Sequence, residues 1–352
     1  MKKESGLFIL LIVLCATVCG VEFYNQLASK EALHLPRFLS EANLSNTANL
    51  IGLFGIFSIG AGMIIITGGI DLSVGSMIAL NGMLLVLALT EWHWFWPLGV
   101  AFALAVPMLL GLGHGVLITR FKMQPFIVTL CGLLLYRGAA RFIANDMTKG
   151  FGDAAGFKTL QYLASGTFPP PPPVTPPNMP PIPAPWWSAS VGVPMPFLML
   201  VVIAVIMWVV LHRSIYGRYL LAVGRNEEAT RFSGVNTKWV VASAYILGGL
   251  LTGISGILFA FYTNSVSPST HGNFYELYGI AAAVLGGCSL RGGEGSIIGI
   301  LIGTTLLLVL QNLVNLLNIP SSLNFAVMGA VVLVGVLADQ IFKNRASRKG
   351  AR

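Results

Sequence analysis

The side chains of this sequence best suited to chemistry are a few acids, amides and hydroxyls set among glycines in apolar surroundings. Gly68-Gly69-Ile70-Asp71-Leu72-Ser73-Val74-Gly75-Ser76 places a carboxylate and two hydroxyls between long apolar runs at 49–67 and 77–89. A carboxylate there is costly unless it is hydrogen-bonded or meets water. Two readings are open. Asp71 or Ser73 caps the first amides of the next helix, with the glycines supplying the turn. Alternatively, the helix breaks within the bilayer, and Asp71 and Ser73 line a solute path. Asn49, Asn81, Gln311 and Asn312 are further polar groups in apolar runs. They suit a path for a hydroxyl-bearing solute, or hydrogen bonds between helices. In a second glycine cluster Glu276 enters an apolar run, and Gly286, Gly287, Gly292 and Gly293 bracket Arg291 at its other end. Gly295-Ser296-Ile297-Ile298 echoes Gly75-Ser76-Met77-Ile78, which shared turn chemistry explains better than an inverted duplication.

Charged residues gather in the segment from Arg213 to Trp239, which contains Gly217, Arg218, Gly224, Arg225, Asn226, Glu227, Glu228, Ala229 and Gly234. Residues 227–232 suit a short helix ended by Gly234. A short helix bearing both charge signs is a part that a cytosolic partner can push on, although any basic-side loop holds such residues. No catalytic residue is assigned. The sequence has no G-x-x-x-x-G-K-[ST], so transport, if driven by ATP, would take its energy through another subunit, and it has no H-E-x-x-H for a zinc protease. Gly253-Ile254-Ser255-Gly256 fits an intramembrane serine-protease pattern, but His271, the only histidine after it, stands in a polar stretch; Ser255 reads better as a small packing residue. Cys15, Cys19, Cys131 and Cys288 lie in or beside apolar runs with no zinc spacing, so neither a metal nor a disulfide framework is expected.

The elements that must position these groups are transmembrane helices. Of the 352 residues, 55% are hydrophobic and 10% charged, which excludes a soluble domain. The expected fold class is an all-α membrane protein, a polytopic bundle of about ten helices near 7–23, 49–67, 72–89, 97–119, 125–143, 193–212, 239–262, 277–290, 296–317 and 323–342. Lys2 and Lys3, Arg120 and Lys122, the 213–238 loop, Arg291 and the basic tail at 343–352 then fall on the cytoplasmic side, with both termini inside. Trp92, Trp94, Trp96, Trp186 and Trp187 fall outside, in the headgroup layer. This distribution turns the net charge of +8 toward the bilayer rather than nucleic acid. The first run is expected to be a retained signal anchor, and residues 1–342 to form one transmembrane domain. An outer loop at 144–192 carries a proline-dense spacer at 169–185, stiff and extended. Gly248, Gly249, Gly253 and Gly256 suit close helix packing.

GGIDLSVGS at Gly68, QPFIVTL at Gln124 followed by Tyr136-Arg137-Gly138, GRYLLAVGRNEEATRFSGVNT at Gly217 and ELYGIAAAVLGGCSLRGGEGSIIG at Glu276 resemble, in that order, the membrane permease of carbohydrate ABC importers of the ribose, xylose and galactose type. Branched-chain amino-acid permeases are related to that family. The resemblance implies a permease in the bacterial inner membrane that translocates a monosaccharide. Its partners would be a second permease copy or paralogue, a cytosolic ABC ATPase that binds the ATP, and a periplasmic sugar-binding protein. No cofactor would be bound by this chain. The 217–237 segment would be the coupling element against the ATPase. His114 and the proline spacer depart from the family pattern, the histidine standing where an Asn is more usual. An ion-gradient-driven secondary transporter is the alternative class, because glycine-broken helices with a buried carboxylate also suit ion coupling.

Overall fold

Apolar runs become helices and glycine pairs end them. The computed structural model describes residues 2–29, 36–152, 155–171 and 192–317, with scattered positions between 319 and 333. The expected helix at 323–342, the basic tail, residues 172–185 of the proline spacer, and Trp186 and Trp187 lie wholly or largely outside the described residues. Among those described there are twelve α-helices: α1 (Lys2–Ser29), α2 (Glu41–Ile66), α3 (Val74–Thr90), α4 (Trp96–Arg120), α5 (Pro125–Ile143), α6 (Lys158–Ser165), α7 (Met195–His212), α8 (Ile215–Arg225), α9 (Glu227–Phe232), α10 (Thr237–Thr263), α11 (Tyr275–Leu285) and α12 (Ile297–Leu316). Six of them, α2, α4, α5, α7, α10 and α12, are long and apolar enough to cross a membrane. Shorter apolar helices occur at Phe8–Tyr24 within α1, at α3 and at α11.

Two boundaries differ from the sequence reading for identifiable reasons. α2 begins at Glu41 because Ser40 Oγ accepts the Asn43 N–H at 3.4 Å and an acid sits in the first turn. Its first turns are polar, so an apolarity criterion misses them. α11 stops at Leu285 because Gly286 and Gly287, the latter at φ 95°, divert the chain.

Uniform hydrophobicity does not distinguish a helix facing lipid from one enclosed by protein. Packing does. In its most apolar stretch α2 is 94% buried and α10 78%, against 28% for each of α4, α5 and α7. Around α2 stand α7, α10, α11 and α12, while α10 also packs on α3 and, most extensively, on α4. The α4–α10 contact is backbone on backbone: a Cβ at Gly111 would strike the Tyr245 carbonyl, and one at Gly249 the Pro107 carbonyl. Phe54 and Phe57 of α2, Phe259 of α10, and Tyr275 and Tyr278 of α11 form an aromatic knot, with Tyr275 4.7 Å from Phe54 and 4.8 Å from Phe259 between ring centroids.

The 144–192 segment is more than the loop the sequence suggests. It holds α6 and two two-residue strands, β1 (Lys149–Gly150) and β2 (Thr167–Phe168); β3 (Val193–Pro194) follows it directly, and β4 (Ser265–Val266) follows α10. Antiparallel pairing sets Lys149 opposite Val266 and Thr167 opposite Pro194. Two residues are too few for a period-2 pattern, which is why the sequence does not reveal them. At the start of this segment Arg141 Nε donates to Asp146 at 2.6 Å, and that bond holds the Asp146 carboxyl below its ordinary value.

Candidate translocation and coupling site

Between α2 and α3 the chain leaves helical geometry for residues 67–73, turning first at Gly68 (φ 84°). Gly68 lies against the Arg291 carbonyl, beyond the C-terminal end of α11, while Gly75 lies against Gly272 and Glu276 at the N-terminal end of α11. The crossing therefore runs alongside α11 from one end to the other, inside the bundle. The chain is thus interrupted inside the helix bundle, with Asp71 buried there.

Asp71 is only 5% exposed, and one oxygen, Oδ1, accepts both the Ser73 N–H (2.8 Å) and the Ser73 hydroxyl (2.6 Å). This closed Asx turn satisfies a carboxylate that would otherwise be costly to bury. It also corrects the capping expectation, since Ser73 makes no side-chain cap bond and Asp71 is turned back on its own segment. Another helix reaches this end of α3 instead: Glu276 of α11 lies with Oε2 against Gly75 in the first turn of α3. Gly75 is required for that approach, because a Cβ would collide with both the Gly272 carbonyl and Glu276 Oε2.

Neighbouring helices hold the rest of the crossing. Thr129 Oγ1 of α5 donates to the Ile70 carbonyl at 3.0 Å, and the Tyr245 hydroxyl lies on Gly69. His114 Nε2 and Tyr136 Oη bond at 2.7 Å, and the rings of His114 and Tyr245 meet edge-on at 6.1 Å. His114 Nδ1 and Tyr245 Oη have no hydrogen-bond partner, so the cluster retains unmet polar capacity beside the carboxylate. The sequence reading singled out His114 but did not connect it with Tyr136 or Tyr245, which are remote in sequence and unremarkable in type.

The remaining polar residues expected along a path do not converge with this cluster. Asn81 Nδ2 donates to the Gly253 carbonyl at 3.0 Å and ties α3 to α10. Asn312 and Asn43 exchange amide hydrogen bonds at 2.7 and 3.1 Å between α12 and α2. Asn49 is buried with Oδ1 unpartnered, and Gln311 is half-buried. Ser255 Oγ donates to the Leu53 carbonyl at 3.2 Å, which fits the packing role expected of it. By sequence Arg137 and Arg141, one turn apart near the outer end of α5, could snorkel or face a partner's acidic rim; in the structure Arg137 donates to the His271 and Pro268 carbonyls at 2.6 and 3.2 Å. It anchors the turn that leads into α11.

At the other site, α8 and α9 form an exposed hairpin whose ends are set by side-chain caps. Ser214 Oγ accepts the Gly217 N–H (3.1 Å), Asn226 Oδ1 the Ala229 N–H (2.9 Å), and Asn236 Oδ1 the Trp239 N–H (3.2 Å). As expected from the sequence, residues 227–232 are helical, with Gly234 at φ 88° beyond them. Gly217 packs on the Leu211 and Val210 carbonyls where α7 hands over to α8. Arg218, Arg225, Asn226, Glu227, Glu228 and Ala229 are exposed, and Phe232 is 80% exposed with the Arg231 guanidinium 5.6 Å from its ring. Glu227 Oε1 accepts from Thr237 at 3.2 Å, bracing α9 against the start of α10.

Residues 43–336 match the family model described as the branched-chain amino acid transport system / permease component. The chain belongs to this permease family. It is a multi-pass membrane protein and the permease subunit of an ABC-type importer. Among its relatives is the ribose import permease protein RbsC of Bacillus subtilis, 35% identical over 314 residues and covering 87% of each chain. RbsC of Escherichia coli K12 is 34% identical over 304 residues, 86% of this permease and 87% of the relative. The L-arabinose ABC transporter permease protein AraH of Azospirillum brasilense is 29% identical over 345 residues, 97% and 89% of the two chains. No solved structure matches.

Proposed function

We propose that this permease moves a monosaccharide of the ribose, xylose or galactose kind across the bacterial inner membrane. It does so as one of two permease subunits, driven by a separate cytosolic ATPase and supplied by a periplasmic binding protein. The reading is supported by relatives that carry sugar names and by the two-part construction of the molecule. An uncharged, hydroxyl-rich solute needs hydrogen-bonding groups without a deep, tight site, and unmet polar atoms around a satisfied carboxylate offer such groups. In this reading Asp71 and Ser73 belong to the crossing that must open for passage. Asn49 and Gln311 remain candidates for the lining, whereas Asn81 and Asn312 serve helix contacts until the bundle rearranges. The exposed α8–α9 hairpin is the surface offered to the ATPase, with Phe232 as its apolar anchor and Glu227, Glu228 and Arg231 as its polar rim.

The test is to purify the tagged permease from its native membranes in mild detergent, identify what accompanies it by mass spectrometry, and compare wild type with a Glu227→Lys/Glu228→Lys variant. A Walker-motif ATPase that accompanies the wild type and is lost from the variant supports the assignment. A co-purified binding protein then identifies the sugar by calorimetry. A permease that comes alone under conditions preserving other ABC complexes, and takes up solute on an ion gradient, overturns it.

A further inference from the structure

The exposed hairpin and the buried crossing meet at one joint made mainly of backbone. Gly293 N–H donates at 2.8 Å to the carbonyl of Ile66, the last residue of α2. Gly224, near the end of α8, sits against both groups, so that a Cβ there would strike the Ile66 carbonyl and the Gly293 amide. Gly292 faces the Gly224 carbonyl and the Gly68 nitrogen, and Gly293 lies on Arg225, against its backbone N and Cα and its side-chain Cγ. Three chain segments from the ends of α2, α8 and the turn after α11 thus touch mainly peptide to peptide, with the Arg225 Cγ packed among these contacts. Side chains absorb a displacement by changing rotamer; close-packed, hydrogen-bonded backbone passes it on.

What lies beyond the joint is the crossing itself. Its near end, Ile66 to Gly68, is part of the joint, while its far end, Gly75, is held by Glu276 and Gly272. The crossing is therefore gripped at both ends, and its near end is the one in contact with the hairpin's α8. A shift of α8 relative to α11 changes the span that residues 67–73 must cover. Residues 67–69 hydrogen-bond back onto the last turn of α2, through Ile64 and Ile65, whereas 70–73 lie outside helical geometry and are the part free to follow the change.

We propose that Gly224, Gly292 and Gly293 are positioning residues of the transport cycle, transmitting movement of the α8–α9 hairpin to residues 67–73 and so setting whether the crossing stays closed around Asp71. The proposal rests on the reading of the hairpin as the ATPase contact. The permease is reconstituted in proteoliposomes with its ATPase and binding protein, and solute uptake is counted per ATP hydrolysed. Gly224→Ala is expected to keep the ATPase bound and hydrolysing while uptake per ATP falls at least tenfold. Gly138→Ala, where an added Cβ meets nothing within 4 Å, is expected to behave as wild type. Wild-type uptake per ATP in Gly224→Ala overturns the joint and leaves the importer reading standing. Wild-type uptake that needs no ATPase overturns the importer reading instead. A second measurement needs no substitution and decides the matter if Gly224→Ala does not assemble. Hydrogen exchange of the wild-type complex, with and without bound ATP, is expected to change together at 215–232, 289–293 and 66–75. A response at 215–232 with 66–75 unchanged overturns the proposal.

Discussion

The crossing at 67–73 and the hairpin of α8 and α9 are both short polar interruptions flanked by glycines, yet the fold treats them in opposite ways. The crossing turns its polar groups inward: Asp71 closes on Ser73, and Glu276 reaches over from α11 to the first turn of α3. The hairpin satisfies its backbone with its own Ser214, Asn226 and Asn236, leaving the charged and aromatic side chains to solvent. A polar segment whose bonds depend on other helices is part of the core and moves only with them. One that is locally capped is a rigid surface piece on which another protein can act.

Substitutions sharpen this contrast, because core changes should be felt in the stability of the isolated permease and hairpin changes in its assembly. The largest effect is expected at Gly75. Gly75→Val forces a branched side chain into the Gly272 carbonyl and the Glu276 carboxylate, and overpacking of that kind costs about 1–3 kcal/mol or more. Thermal unfolding in detergent should show a clear fall in midpoint and a loss of uptake; an unchanged midpoint would mean that α3 and α11 are not held this closely. Next comes Asp71→Ala, which deletes both Ser73 bonds and should cost about 1–2 kcal/mol. Asp71→Asn keeps an acceptor and should lose less than alanine does, so the reverse order would argue against the Asx turn. Asn312→Ala removes a single interhelical amide pair, worth about 0.6 kcal/mol in a bilayer, with transport retained. Phe232→Ala should leave the midpoint within about 0.5 kcal/mol of wild type, as for an exposed side chain, while ATPase co-purification drops. If that variant instead destabilises the permease alone, the two regions are not the separate kinds of part described above.

Much of this arrangement is legible without coordinates. The run at 125–143 becomes α5 with the same limits, because Pro125 starts it and apolar residues fill it. Helix α9 is equally readable, since Asn226 precedes two acids and Gly234 follows. Illegible were the partners of isolated polar residues. Asn81 and Asn312 look alike in sequence as path or packing groups, and only the neighbouring Gly253 carbonyl and Asn43 amide separate those roles. Arg137 reads as an interfacial cation until the turn before α11 is folded onto it.

Residue type and order by themselves determined that this chain is a bundle of membrane helices, where most of those helices begin and end, and that a carboxylate with glycines interrupts one apolar stretch. Those properties follow from solvent preference and local backbone freedom, which each segment carries with it. Tertiary structure alone decided that the interruption lies inside the bundle, that Glu276 of α11 reaches the first turn of α3, and that Gly224, Ile66 and Gly293 meet. Each of these is a contact between segments far apart in the chain, fixed by how helices of near-uniform hydrophobicity pack, and no local pattern records that packing.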